Sequence, residues 1–336
     1  MIELVLVFFC GSVLLYAIFG GADFGAGIVE LFSTGAKTPV ARRTVTHALA
    51  PVWEANHVWL ILAIVILFNA FPPVFYTLSV TFHIPLTLML IGVVFRGCAF
   101  TFRHYDAVEG ERSYHWYSTL FQFGSVLTPL MQGMIVGAVL LGRVGTTSFV
   151  DRFVSPWLNP FCFSVGCFTC ALDVLLASVF LVGETDDPKL KEYFVACSRV
   201  ATAAVCVLTA VVFGLAHSLN VPLMECFFND PVCQLVAALA LFTLVAVQLL
   251  LPKRRTLDSR VAVSLFVALV LIGFCRVHFP RFPEPEGARS LISWTDGAAP
   301  KETLRFLLIA LTTGIFTVLP ALGFLLRTFK LNDRAH

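Results

Sequence analysis

Charge is what this chain has least of. Charged residues make up 13% of its 336 positions, where a soluble domain carries roughly 25%. Apolar residues reach 58%, Phe alone supplies 33, and the mean hydropathy is +0.87. No water-soluble fold has interior enough for that much apolar surface, which excludes an ordinary cytosolic enzyme and a disordered scaffold. The net charge is only +2, so there is no basic field for nucleic acid. A disulfide framework is missing too. Eight of the ten cysteines (Cys10, Cys98, Cys162, Cys167, Cys170, Cys197, Cys206 and Cys275) fall inside apolar runs, where Cys acts as a small hydrophobe. Cys167 and Cys170 have the spacing of a redox motif but sit in an apolar run of membrane length, and read as packing. Cys226 and Cys233 share one loop and are the plausible bridge.

What is present is a series of apolar runs. A helix crosses the hydrocarbon with about 20 mostly apolar residues. Nine runs qualify, near 4–32, 47–71, 74–103, 115–142, 157–182, 193–219, 232–251, 259–279 and 302–328. The first has no basic leader and is too long for a signal-peptide core, so it reads as a retained anchor. The longest gap, 280–301, is rich in Pro and Gly and reads as an extramembrane loop. The expectation is therefore a single transmembrane domain over 1–336. Fourteen Lys and Arg fall in the connections on one side and five on the other. Cytoplasmic loops carry the excess, so the N-terminus is expected outside and the C-terminus in the cytoplasm.

Ionisable groups inside spans are costly and mark function, pairing or a wet cavity. Asp23, Glu54, Arg96 and Asp173 stand out, in the first, second, third and fifth runs. At a rise of about 1.5 Å per residue, Asp23 lies about 13 Å and Glu54 about 10 Å from the cytoplasmic end of its run. Arg96 and Asp173 lie at similar depth. Two carboxylates and one guanidinium on sequential helices can pair, which lowers the burial cost. Helical phase puts His47, Glu54 and His57 on one face, and Asp23 with Glu30 on another. Gly20 and Gly27 share the Asp23 face, and Gly21 and Gly25 form a small-xxx-small pair. A static ion pair that fixes packing and a proton-conducting cluster both fit these residues. Asp173 has no basic neighbour in its own run, so it is paired with another helix or protonated. His57 alone reads as a core hydrogen-bonder. His83 lies deep in the third run, and His217 and His278 lie near the outer ends of theirs, where snorkelling accounts for them. Gln122 and Gln132 can bond across helices.

Several stretches together resemble subunit II of the cytochrome bd-type quinol oxidases. GGADFGAG (Gly20–Gly27) is similar to the family's glycine-rich acidic segment in its first helix. ALAPVWEANHVWLI (Ala48–Ile61), FRGCAFTFR (Phe95–Arg103) and NPF (Asn159–Phe161) resemble further family segments. SLISWTDGAAPKETL (Ser290–Leu304) is a looser relative of the loop before the last helix. Two departures stand out: Gly20 replaces the family's first acid, and Gly297, Ala298, Ala299 and Pro300 replace a hydroxyl-rich turn. The resemblance implies an all-α polytopic protein of nine transmembrane helices, two four-helix bundles plus one outer helix. It implies a non-haem subunit of a respiratory quinol:oxygen oxidoreductase in the bacterial inner membrane. Haems b and d would sit in a partner, subunit I, with no haem or metal held here. It also leaves room for a structural quinone, for small single-helix subunits, and for a proton path from the cytoplasm through Asp23, Glu54, His57, Arg96 and Asp173. The alternative is a proton-coupled secondary transporter or channel. Transporters often carry inverted repeats, and the glycine-rich stretch of the first run has no twin in the second half. A haem-bearing subunit would need facing axial ligands, and the sequence offers no such pair.

Overall fold

The computed structural model describes residues 1–33, 40, 42, 44–46, 48, 53–105, 112–142, 148–221, 223–278, 281–283, 291–293 and 297–332. Its helices are α1 (Ile2–Leu31), α2 (Trp53–Ala70), α3 (Pro72–Thr81), α4 (His83–Tyr105), α5 (Arg112–Leu141) and α6 (Phe149–Phe153). They continue as α7 (Pro160–Val182), α8 (Pro188–Ser218), α9 (Leu223–Asn229), α10 (Pro231–Leu250), α11 (Thr256–His278) and α12 (Lys301–Asn332). Among the described residues one feature departs from an all-helical fold. Within the 280–301 loop, β1 (Arg281–Pro283) pairs antiparallel with β2 (Leu291–Ser293).

The starts of three helices are written in sequence. Asn159, Asp187 and Asp230 each cap a helix whose next residue is Pro, at α7, α8 and α10. Each cap side chain accepts from a backbone N–H of the first turn, at 2.9 Å in all three. The cap satisfies a donor that has no intrahelical partner, and Pro lacks one.

Seven helices are long and apolar enough to cross a membrane: α1, α4, α5, α7, α8, α10 and α11, the tenth extended to Lys253. A further pair, Ala55–Ala70 and Pro72–Thr81, passes together but is bent by 118°. The expected run 74–103 is therefore not one helix. It breaks at Phe82, between α3 and α4. Consecutive prolines start α3 and Pro85 sits in the first turn of α4, so both breaks fall where a ring suits a helix start better than its interior.

The first helix is central. It packs on α2, α5, α7 and α11, while α4 packs on α5, α7 on α8, α10 on α11, and α12 on α2. Glycines bring these backbones together. A Cβ at Gly25 would land on the carbonyl of Asp173, and one at Gly124 on the carbonyl of Gly92. Such approach suits helices with no hydrophobic drive between them. Large apolar side chains cover the outside, among them Val200, Phe242, Phe306 and Phe316.

Candidate functional site

Asp23 and Arg96 meet in the interior. Both side chains are fully buried, with Arg96 Nη2 2.5 Å from Asp23 Oδ1 and 3.3 Å from the Asp23 carbonyl. The guanidinium lies 5.2 Å from the Phe24 ring centre and 5.1 Å from that of Phe121, whose faces attract a cation. Asn56, buried on α2, lies beside the Asp23 carboxylate and donates to the carbonyl of Phe19 at 3.4 Å.

One helical repeat further toward the C-terminal ends of α1 and α4 stands a second pair. Glu30 follows Asp23 by seven residues, and Arg103 follows Arg96 by seven. Arg103 Nη1 donates to both Glu30 oxygens, at 2.9 and 3.1 Å. Arg42 Nε adds a contact at 3.1 Å and Gln122 Nε2 one at 3.3 Å. Arg103 also donates to Thr46 Oγ1 at 2.6 Å. Phe121 lies beside this guanidinium as well, at 4.8 Å. The structure thus holds a ladder of two acid–guanidinium rungs between α1 and α4. The upper-rung pairing was foreseeable from charge in apolar runs. The lower rung is less visible in sequence, because Glu30 and Arg103 lie near the ends of their runs. Their matched spacing of seven was the available signal.

Asp173 reaches the same region from α7. It is 5% exposed and lies against α1, where a Cβ at Gly21 would stand 2.6 Å from its Oδ1. Among the described residues it pairs with no basic side chain. His57 is half-buried, its ring 6.4 Å from that of Tyr16 and 6.2 Å from that of Phe24. Tyr16 is a buried hydroxyl that an apolar run hides in sequence. The Glu54 side chain and all of His47 lie outside the described residues, so their expected shared face is not placed.

Other sequence candidates fall elsewhere. His83 is not deep in a span: it begins α4, exposed, with Nδ1 2.9 Å from the Val80 carbonyl and its ring against Phe153. The helix break at Phe82 moves it to an end. His217 is exposed near the end of α8, and the His278 side chain lies outside the described residues. Cys226 and Cys233 are joined, with Cα atoms 6.1 Å apart. Cys167 and Cys170 are free thiols.

Comparison with known proteins adds three findings. The family model described as cytochrome bd terminal oxidase subunit II matches residues 1–329. Among curated relatives, cytochrome bd ubiquinol oxidase subunit 2 of Bacillus subtilis is 28% identical over 41% of this chain and 40% of its own length. Cytochrome bd-I ubiquinol oxidase subunit 2 of Escherichia coli is 27% identical over 49% of this chain and 44% of its own. The matched stretches thus span less than half of those relatives. The structure of bd oxidase from Geobacillus thermodenitrificans contains a chain similar in fold, with a TM-score of 0.80 at 18% identity, covering 98% of this chain and 99% of that one.

Proposed function

This chain belongs to the cytochrome bd terminal oxidase subunit II family, and from that premise we propose that it is the non-haem subunit of a membrane-bound respiratory quinol:oxygen oxidoreductase. The family match over residues 1–329 carries the reading. On this reading the nine apolar runs are nine spans in one transmembrane domain, two four-helix bundles and an outer helix. The N-terminus faces out and the C-terminus the cytoplasm. The seven long apolar helices, the bent pair and α12 are consistent with that count. The partner is the haem-bearing subunit I, with haems b and d held there. Small single-helix subunits and a structural quinone belong to the same picture. The transporter alternative loses its ground once the family is fixed.

The chain's own contribution is to proton uptake and to the support of subunit I. Protons consumed when oxygen is reduced to water come from the cytoplasm, which builds a proton gradient. Asp23, Glu54, His57, Arg96 and Asp173 supply polar groups at the depth such a path needs, and buried carboxylates in spans are suited to relaying protons. The two rungs of the ladder hold α1 and α4 in place beside them.

The test co-expresses this chain with its haem-bearing partner and compares the parent with Glu54→Gln. Gln keeps size and hydrogen bonding but cannot release a proton. The expected result is normal haem yield with slow oxygen consumption per haem. Low haem yield with normal turnover per haem would make Glu54 an anchor and sink the relay. Failure of the parent pair to assemble into a haem-containing oxidase would sink the function itself.

A further inference from the structure

The interior around α1 holds polar atoms that have no partner among the described residues. Tyr16 Oη, Asp23 Oδ2, His57 Nδ1, and Arg96 Nε and Nη1 are all buried, and none has a hydrogen-bond partner among the described residues. They form one neighbourhood. The Tyr16 ring lies 6.5 Å from Phe24 and 6.4 Å from His57, and Phe24 lies under the Arg96 guanidinium. Asp173, Asp23 and Arg96 all act electrostatically on the Tyr16 hydroxyl, and Arg96 acts on His57. A buried polar group left unpaired costs about 1–3 kcal/mol. Five such atoms together would cost an amount comparable to the roughly 5–15 kcal/mol that separates a folded protein from its unfolded state. Internal water that makes about three hydrogen bonds to such groups removes that cost.

The charges of the neighbourhood do not cancel. Asp23 and Arg96 neutralise each other at 2.5 Å, which leaves the carboxyl of Asp173 over. Among the described residues its surroundings offer no uncommitted cation. Tyr16, Gly21 and Gly25 face it from α1, with Arg96 of α4 committed to Asp23. Cys170 is its neighbour on α7. From α8, Tyr193 is turned to the Val29 carbonyl at 3.2 Å, and from α11, Arg260 is held by Glu184 at 2.7 Å. Packed from α5 are glycines, hydroxyls and apolar groups, with no ion pair to Asp173 among the described residues. An isolated carboxylate in such a place costs far more than a carboxylic acid.

We propose that α1, α2, α4 and α7 enclose a hydrated proton-binding site in which Asp173 carries the proton and Tyr16 and His57 connect it through water. The step is a simple one: a proton joins a carboxylate oxygen, no other bond of the chain changes and no electron moves. This deepens the proton-uptake reading above and rests on it, by naming an acid on α7 as the group that holds the proton.

The test is infrared spectroscopy of the complete purified complex in H2O and D2O, for the parent, Asp173→Asn and Tyr16→Phe. The parent should show a carbonyl band of a protonated carboxylic acid that shifts in D2O. Asp173→Asn should lose that band, and Tyr16→Phe should move it without removing it. A band that persists in Asp173→Asn, or that does not respond to D2O, overturns the proposal. If Asp173→Asn does not accumulate, Tyr16→Phe decides, and an unmoved band overturns it. The readout needs no oxygen turnover. An inactive complex with the responsive band would count against the oxidase function alone, and an active one without it against this site alone.

Discussion

Removing Arg96 leaves Asp23 buried with no cation, which for a broken buried pair costs on the order of 3–5 kcal/mol. Arg103 is buried in its own ion pair, but Glu30 keeps Arg42 at 3.1 Å and Gln122 at 3.3 Å when Arg103 is gone. Arg96→Leu should therefore abolish most assembled complex, and Arg103→Leu should lower it by a smaller factor. Haem content per unit of membrane protein, with the partner co-expressed, measures both, and equal losses would remove the distinction. The difference is not legible from the chain alone. Arg96 announces itself because a guanidinium in an apolar run has no innocent place. Arg103 sits near the end of its run, where a long basic side chain ordinarily reaches water, and only its contacts with Glu30 and Thr46 show otherwise. Tyr16 carries no signal at all, since a tyrosine among apolar residues reads as filling.

Among the elements, the contact of α1 with α7 depends most on single atoms. Gly25 faces the Asp173 carbonyl so closely that any Cβ must push the helices apart, while a Cβ at Gly11 would meet nothing within 4 Å. Gly25→Ala should destabilise the assembled subunit by about 1–3 kcal/mol, the usual cost of overpacking. Gly11→Ala should be neutral or raise stability by up to about 1 kcal/mol through helix propensity. Thermal loss of the complex in detergent compares the two, and a neutral Gly25→Ala would refute the close contact. Helix positions were readable from apolar runs, and the caps at Asn159, Asp187 and Asp230 were written beside their prolines. Breaks were not, because hydropathy is blind to direction. Residues 74–103 stay apolar through Phe82, where one helix ends and the next begins without the loss of a hydrophobic residue.

At the scale of the whole molecule, orientation is the property most open to direct test. Cys226 lies in the connection between the sixth and seventh apolar runs and Cys233 at the start of the seventh, at the end poor in Lys and Arg. On the orientation proposed above, that side faces an oxidising compartment, where a disulfide persists. In intact cells a membrane-impermeant thiol reagent should label these two cysteines only after reduction, and from outside. Labelling without reduction, or only after the membrane is opened, would reverse the orientation or remove the bridge.

The ladder between α1 and α4 also has a consequence for biogenesis. Asp23 and Arg96 are separated by 73 residues, as are Glu30 and Arg103. At about 5–20 residues per second of synthesis, roughly 4–15 s pass before an acid emerging from the ribosome is followed by its counterion. Through that interval Asp23 lacks the guanidinium that neutralises it, and bare lipid is the costliest place to wait. α1 is thus expected to settle only once α4 arrives, held by the insertion machinery until then. A nascent chain halted before Arg96 should still cross-link to that machinery through α1, and its release into lipid at that length would contradict this order of assembly.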